Sequence, residues 1–189
     1  TPYDTGHAAH KYTFKRNFET AHMATLLKPD ALPKLKQAMK DPDSAVRYWG
    51  AMGVLMRGQT GVDGAQPELQ AALEDSSAYV RIAAAQALGQ YAGAAGLKNA
   101  LPVLDESAPW GKNSVFVSIF ALNAIGQLGP KAYGLRAKVK DWPDKGLSPD
   151  GRYNSYVPRL LADLAADFGV EIPKAPAKQR AKGKKKSSE

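Results

Sequence analysis

The feature that most constrains the fold is a motif that the sequence contains twice. The pattern Asp-x-x-x-x-Val-Arg begins at Asp41 and again at Asp75, an offset of 34 residues (75 − 41). A largely apolar stretch follows each copy, at residues 48–57 and 82–91. A fixed period of this length is typical of solenoids built from stacked helical units. The alternative is two unrelated amphipathic helices, but a matched pattern of this kind rarely arises twice by accident.

The second copy predicts an amphipathic helix with mostly small side chains. Its apolar residues recur at i, i+3, i+4, i+7, i+8 and i+11, which places them on one helical face. Ser76 or Ser77 is expected to cap this helix, and Ser44 the helix of the first copy, because a hydroxyl accepts from unpaired backbone N–H groups there. The many alanines allow a neighbouring helix to pack closely. The predicted face consists of Val80, Ala83, Ala84, Ala87, Leu88 and Tyr91.

The charged residues of the motif are candidates for a ladder along the stack. Each copy has an Asp before the helix and an Arg just inside it, Asp41 with Arg47 and Asp75 with Arg81. We expect an Asp of one unit to accept hydrogen bonds from an Arg of its own or the next unit. Hydrogen bonds between charged groups are stronger than those between neutral groups. These four residues are therefore predicted to have a structural role.

The motif, with an Ala-rich helix after it and a Leu-containing helix before it, resembles the HEAT repeat family. The resemblance implies an all-α fold, a right-handed α-α superhelix (a HEAT-like solenoid) of about four helix pairs. Tetratricopeptide repeats have a similar period, but their Trp, Gly and Tyr positions are missing here. Residues 123–128 repeat residues 86–91 at an offset of 37 (123 − 86), with Ser118 in place of the motif Arg. The repeats therefore diverge toward the C-terminus.

The chain is predicted to have three parts. Residues 1–29 form a connector and a leading helix from about Thr13 to Leu27, with Phe14 and Phe18 on one side of that helix. Residues 30–169 form the repeats, and the Gly-containing stretch 58–66 is expected to be a surface loop. Residues 170–189 are rich in Lys, Ala, Pro and Ser and are predicted to be disordered.

Most of the positive charge lies in this basic tail. The chain has a net charge of +8. Residues 174–189 contain seven Lys and Arg and one Glu, a net charge of +6, which leaves +2 for the remainder. The repeats therefore lack the basic character of a nucleic-acid-binding domain. An anionic polymer could bind the tail, although a solubilising role is the simpler interpretation. The candidate residues are Lys182, Lys184, Lys185 and Lys186.

Nothing in the sequence indicates a catalytic, metal or cofactor site. The chain has no Cys, which excludes a thiol nucleophile and Cys-ligated zinc. His7 and His10 have the spacing of two ligands on a helix, but a third ligand at a matching spacing is absent. We predict no cofactor and no membrane span. The candidate interface residues are four aromatics that either bind a partner or pack locally, namely Tyr48, Trp49, Trp110 and Trp142.

The leading segment carries a narrower resemblance. Tyr3-Asp4-Thr5-Gly6-His7 followed by Val46-Arg47-Tyr48-Trp49 is similar to the C-terminal extension of a group of bacterial sulfatases, over roughly residues 2–169. The resemblance implies a non-catalytic module of a longer, exported (periplasmic or secreted) protein, an expectation that fits a first residue other than Met. The partner would be the sulfatase catalytic domain in cis, which hydrolyses sulfated esters or glycans and alone would bind calcium. The alternative is a stand-alone HEAT scaffold for another protein, with anion contacts through the tail.

Overall fold

The computed structural model describes residues 14–171, and within that range the chain is almost entirely helical. It contains no β-strand there, only an isolated bridge between Trp110 and Asn113. The predicted all-α solenoid is confirmed. Short 3-10 helices span Pro29–Ala31, Gly129–Leu135 and Gly151–Tyr153. The α-helices are α1 (Phe14–Thr25), α2 (Leu32–Ala38), α3 (Ser44–Leu55), α4 (Gly58–Asp63), α5 (Gln66–Ala72), α6 (Ala78–Tyr91), α7 (Gly93–Ser107), α8 (Val115–Leu128), α9 (Arg136–Val139) and α10 (Tyr156–Asp167).

The helices form two rows. In the first row α1, α3, α6, α8 and α10 follow one another, and each packs against the next. The second row contains α2, α5, α7 and α9, which pack against members of the first row. The pairs α2–α3, α5–α6, α7–α8 and α9–α10 are the four predicted helix pairs. Helix α1 extends the first row by one helix before the first pair.

The core is centred on α6, which is buried on nearly all sides because α3, α5, α7 and α8 surround it. Close packing also occurs at α3. A Cβ at Gly53 would lie 2.6 Å from Leu35 Cδ2 and 3.0 Å from the Cβ of Ala24. A Cβ at Gly50 would lie 2.9 Å from the carbonyl oxygen of Leu35. The glycines of α3 therefore permit the close approach of α1 and α2.

The leading helix is present, and Phe14 and Phe18 lie on one side of it as predicted. That side faces away from the core, since the two residues are 62% and 61% exposed. The buried residues of α1 are Thr20 and Ala24. The reason is that α1 packs on the glycine-containing face of α3, where only small side chains fit. The two phenyl rings lie on the opposite side, with their centroids 6.4 Å apart.

The predicted loop at residues 58–66 is wrong, because residues 58–63 form helix α4. Gly61 and Val62 are buried in it. A Cβ at Gly61 would lie 2.5 Å from the carbonyl oxygen of Val54, so this glycine allows α4 to pack against the end of α3. Three glycines in a short stretch predicted a surface loop, but Gly61 has a packing role instead.

The segment Val115–Val139 is long and apolar enough to cross a membrane, judged by length and composition alone. In the structure it is not one straight helix. Helix α8 ends where Gly129 adopts φ +53° and Pro130 follows, and the remainder is a 3-10 helix and α9. Helix α8 packs against α6 and α10. Core helices of this kind pass the same compositional test, so the segment carries little weight as evidence for a bilayer.

Candidate protein-interaction surface

The repeated motif builds the same turn twice. Asp41 Oδ1 accepts a hydrogen bond from the backbone N of Asp43 at 2.8 Å, and Asp75 Oδ1 accepts one from the backbone N of Ser77 at 2.7 Å. The Arg of each copy then donates back to the turn. Nη1 of Arg47 lies 2.9 Å from the carbonyl oxygen of Asp41, and Nη1 of Arg81 lies 2.7 Å from that of Asp75. Each Asp–Arg pair therefore fixes the turn in front of its helix.

Neither predicted serine cap is formed, and only α3 is capped by a carboxylate. The side chain of Asp43 caps α3 by accepting from the backbone N of Ala45 at 2.8 Å, so Ser44 is not the cap. Ser77 occupies the cap position of α6, but its hydroxyl makes no capping bond. The carboxylate of Asp75 accepts from the Ser77 N–H, before the helix begins. A carboxylate at either position interacts well with the positive end of the helix dipole.

Arg47 connects the first turn to the second. Its Nε and Nη2 donate to the two carboxylate oxygens of Asp75 at 2.6 and 2.8 Å, a bidentate pair. Both side chains are largely buried, with 14% and 10% exposed. Burial alone raises the pKa of the Asp75 carboxyl, but the hydrogen bonds from Arg47 and Ser77 outweigh this effect and hold that pKa below its usual value. The hydrogen bond to Asp75 in turn raises the pKa of Arg47.

The ladder extends further toward the N-terminus than the motif indicates. On α1, Nη2 of Arg16 lies 3.3 Å from Asp41 Oδ1, so Arg16 occupies the place of a preceding motif Arg. In the other direction the ladder stops at Arg81. At the offset of 37 between α6 and α8, the residue that corresponds to Asp75 is Lys112 (75 + 37). Within residues 14–171, Arg81 forms no ion pair of the kind that Arg47 forms.

An aromatic cluster covers the first row of helices. Tyr48 on α3 has its ring centroid 5.5 Å from that of Trp49 and 5.8 Å from that of Phe120 on α8. Tyr79 on α6 also lies 5.8 Å from Phe120. Phe116, one turn earlier on α8, continues the cluster toward α10. We call this surface the aromatic face; it comprises Tyr48, Tyr79, Phe116, Phe120, Tyr153 and Tyr156, which are exposed or half-buried.

The aromatic face is concave. Tyr48 and Phe120 are on α3 and α8, which do not follow one another in the row, since α6 lies between them. Their rings can meet only if the row curves toward this side. Ile82 of α6 is fully buried although it lies only one helical turn after the exposed Tyr79. The curvature of the row therefore encloses α6 beneath the rings.

Comparison with family models supports the HEAT repeat family. Residues 32–116 match the model of HEAT repeats. The match runs from α2 to the start of α8 and includes both copies of the motif. HEAT repeats generally mediate protein–protein interactions and are typically non-catalytic. Comparison with curated proteins finds no match to this sequence, and the family match does not indicate a sulfatase.

Of the two interpretations left open for the candidate interface residues Trp110 and Trp142, the structure supports local packing and not an interface. Trp110 is 2% exposed, and its Nε1 donates to the carbonyl oxygen of Leu147 at 3.1 Å. Trp142 is 8% exposed, and its Nε1 donates to Asp105 Oδ1 at 3.3 Å. A Cβ at Gly146 would lie 2.7 Å from Trp110, so the loop after α9 lies directly against this indole. Neither indole is accessible to a partner.

Several predicted residues lie outside the described range. These are His7 and His10, and the tail residues Lys182 and 184–186. Within residues 14–171 no group of three His, Asp or Glu side chains could hold a metal ion. Among the predicted site residues, the structure brings the ladder residues together. It also groups Tyr48 and Trp49 with aromatic residues that the sequence analysis did not select. These are Tyr79, Phe116, Phe120, Tyr153 and Tyr156.

Proposed function

We propose that this chain is a non-catalytic HEAT repeat module that binds a protein partner through its aromatic face. The observation that carries the proposal is the convergence of aromatic rings from all four helix pairs, and from the 3-10 helix before α10, on one concave surface. Tyr and Trp side chains contribute disproportionately to protein–protein binding because they bury a large area and lose little conformational entropy. Contiguous apolar surface of this kind commonly marks an interaction site.

The aromatic face also contains a shallow apolar groove. Its volume is about 220 Å³, and it lies between the first turns of α3 and α6. Small residues and two tyrosines line it. A groove of this size accommodates one apolar side chain of a partner. Its lining residues are Ser44, Ala45, Tyr48, Ser77 and Tyr79.

The partner that we propose is a sulfatase catalytic domain in the same polypeptide. Support for this choice is the resemblance of residues 3–57 to the C-terminal extension of bacterial sulfatases. In that arrangement the HEAT repeats would pack on the catalytic domain or limit access of large sulfated substrates to it. A separate protein would bind through the same aromatic face. The first experiment therefore tests that face, and its result then identifies the partner.

Site-specific photo-crosslinking tests the aromatic face and identifies its partner. A photoreactive phenylalanine analogue replaces Tyr79 in the full-length protein in its native host, and the matched control places it at Tyr133, which is exposed on the Gly129–Leu135 helix away from the face. We expect a discrete adduct from position 79 and none from position 133. Adducts of equal yield at both positions, or none at position 79, would contradict the proposal.

The identity of the adduct then decides between the partners. A crosslink to an upstream sulfatase domain supports a module acting in cis, whereas a crosslink to another protein supports a stand-alone scaffold. Affinity is measured next by calorimetry with the purified partner. Tyr79→Ser is expected to weaken binding by about tenfold, the effect of losing an interface residue worth about 1.4 kcal/mol. Tyr133→Ser should leave the affinity unchanged.

A further inference from the structure

Arg81 is held in the same way as Arg47 but lacks the carboxylate that Arg47 binds. In both residues Nη1 donates to the carbonyl oxygen of the motif Asp, at 2.9 Å for Arg47 and 2.7 Å for Arg81. This bond fixes the direction of the guanidinium. In Arg47 the remaining edge, Nε with Nη2, binds Asp75. In Arg81 the equivalent edge has no carboxylate partner among residues 14–171.

A groove lies beside Arg81. It has a volume of about 810 Å³ and lies between α5 and α7, with Arg81 in its wall. Lys98 provides a second cation there, and Gln70 and Asn99 line it with their amide groups, which are hydrogen-bonded to each other at 3.1 Å. Three carboxylates also line the groove, those of Glu74 and Glu106 and that of Asp75, which Arg47 binds. It is much larger than one carboxylate and has both polar and apolar walls.

We propose that this groove binds an acidic side chain, Asp or Glu, of a partner polypeptide. The incoming carboxylate would accept from Nε and Nη2 of Arg81, as the Asp75 carboxylate accepts from Arg47. A planar guanidinium is matched to a planar carboxylate, and the bidentate geometry is already set by the bond from Nη1. The residues that flank the acidic side chain would occupy the rest of the groove. This surface is separate from the aromatic face and its test does not depend on it.

Nuclear magnetic resonance of the arginine Nε–H groups in the full chain tests this proposal. The probe is the peptide acetyl-Gly-Gly-Asp-Gly-Gly-amide, with the Asn-containing peptide as its uncharged match and inorganic phosphate as a free anion, all at constant ionic strength. We expect a saturable shift of the Arg81 Nε–H signal with the Asp peptide only. The Arg47 signal serves as an internal control, because its guanidinium is already occupied by Asp75.

Three variants complete the test. Arg81→Lys keeps the positive charge but loses the planar guanidinium that can donate two parallel hydrogen bonds. We expect it to weaken binding of the Asp peptide by about tenfold. The backbone amide signals of the groove report this binding. Lys98→Gln should weaken it less. Glu106→Gln removes an acidic neighbour and should strengthen it.

Specified outcomes would overturn the proposal. Phosphate binding more tightly than the Asp peptide would show an unspecific anion site. Equal shifts for Arg47 and Arg81 would show general screening of charge. An Arg81 signal that responds only in Glu106→Gln would show that the chain's own Glu106 fills this position.

Discussion

Replacing Arg47 with Ala should destabilise the protein far more than removing any exposed charge. The change removes a bidentate bond to Asp75 and two bonds to carbonyl oxygens of the first turn. It also leaves the Asp75 carboxylate, of which only 10% is exposed, with its bond to Ser77 alone. Breaking a buried ion pair on one side costs about 3–5 kcal/mol. Because some solvent reaches this pair, we expect a loss of about 3 kcal/mol.

Urea unfolding followed by circular dichroism at 222 nm measures this loss. Arg152→Ala is the matched control, since Arg152 is 71% exposed and its nearest approach to Asp150 is 3.7 Å. Exposed pairs of that kind contribute about 0–1 kcal/mol. The double variant Arg47→Ala with Asp75→Asn should recover part of the loss, because no unpaired carboxylate remains. If Arg47→Ala and Arg152→Ala differ by less than about 0.5 kcal/mol, the ladder does not stabilise the stack.

Three further predictions concern pH, packing and activity. The pKa of Asp75 is lower in the folded protein, so its ionised form contributes fully to stability above the unfolded-state pKa of about 3.9, and this contribution is lost as the pH falls through the folded-state pKa. Asp75→Asn should therefore flatten the acid limb of a plot of unfolding free energy against pH. An unchanged acid limb contradicts this. Gly53→Ala should destabilise the protein by about 1–3 kcal/mol, because the new methyl group meets Leu35. Gly126→Ala on α8 should stabilise it by up to about 1 kcal/mol, because the new Cβ has open space around it. Melting temperatures that shift in the same direction for both variants would refute the packing argument. Residues 1–189 alone should show no turnover of aryl sulfates or sulfated glycans in a sulfate-release assay, and measurable turnover that a point change within the chain abolishes would overturn the non-catalytic assignment.

The repeated motif made the central helices predictable. Its periodicity placed α3 and α6 in successive units, and its charge pattern identified the residues that join them, Arg47 and Asp75. Arg16 was not predicted because it contacts the ladder from a helix without the motif. The capping residues were misassigned for a related reason: a serine and an aspartate both suit a cap, and only the backbone path selects Asp43.

Contacts between distant residues were the least predictable part. The sequence did not reveal that Phe14 and Phe18 are exposed, because the space on α3 is set by Gly53, and no local pattern in α1 shows this. Phe120 did not stand out in the sequence, because its place depends on the curvature of the whole row. Trp110 lies among Pro and Gly, as exposed loop residues do, and the segment that buries it is 37 residues away at Leu147.

The meeting of Tyr48 and Phe120 has a consequence for how the stack responds to force. In an ideal solenoid each unit contacts only its neighbours, so the stability is a sum of single-unit and nearest-neighbour terms. Such a superhelix can change its curvature at little energetic cost. A contact between the first and third units adds a next-nearest-neighbour term. Straightening the stack would separate these rings, so the contact resists extension. A partner that inserts between Tyr48 and Phe120 would therefore open the curve, and one that covers them would hold it closed.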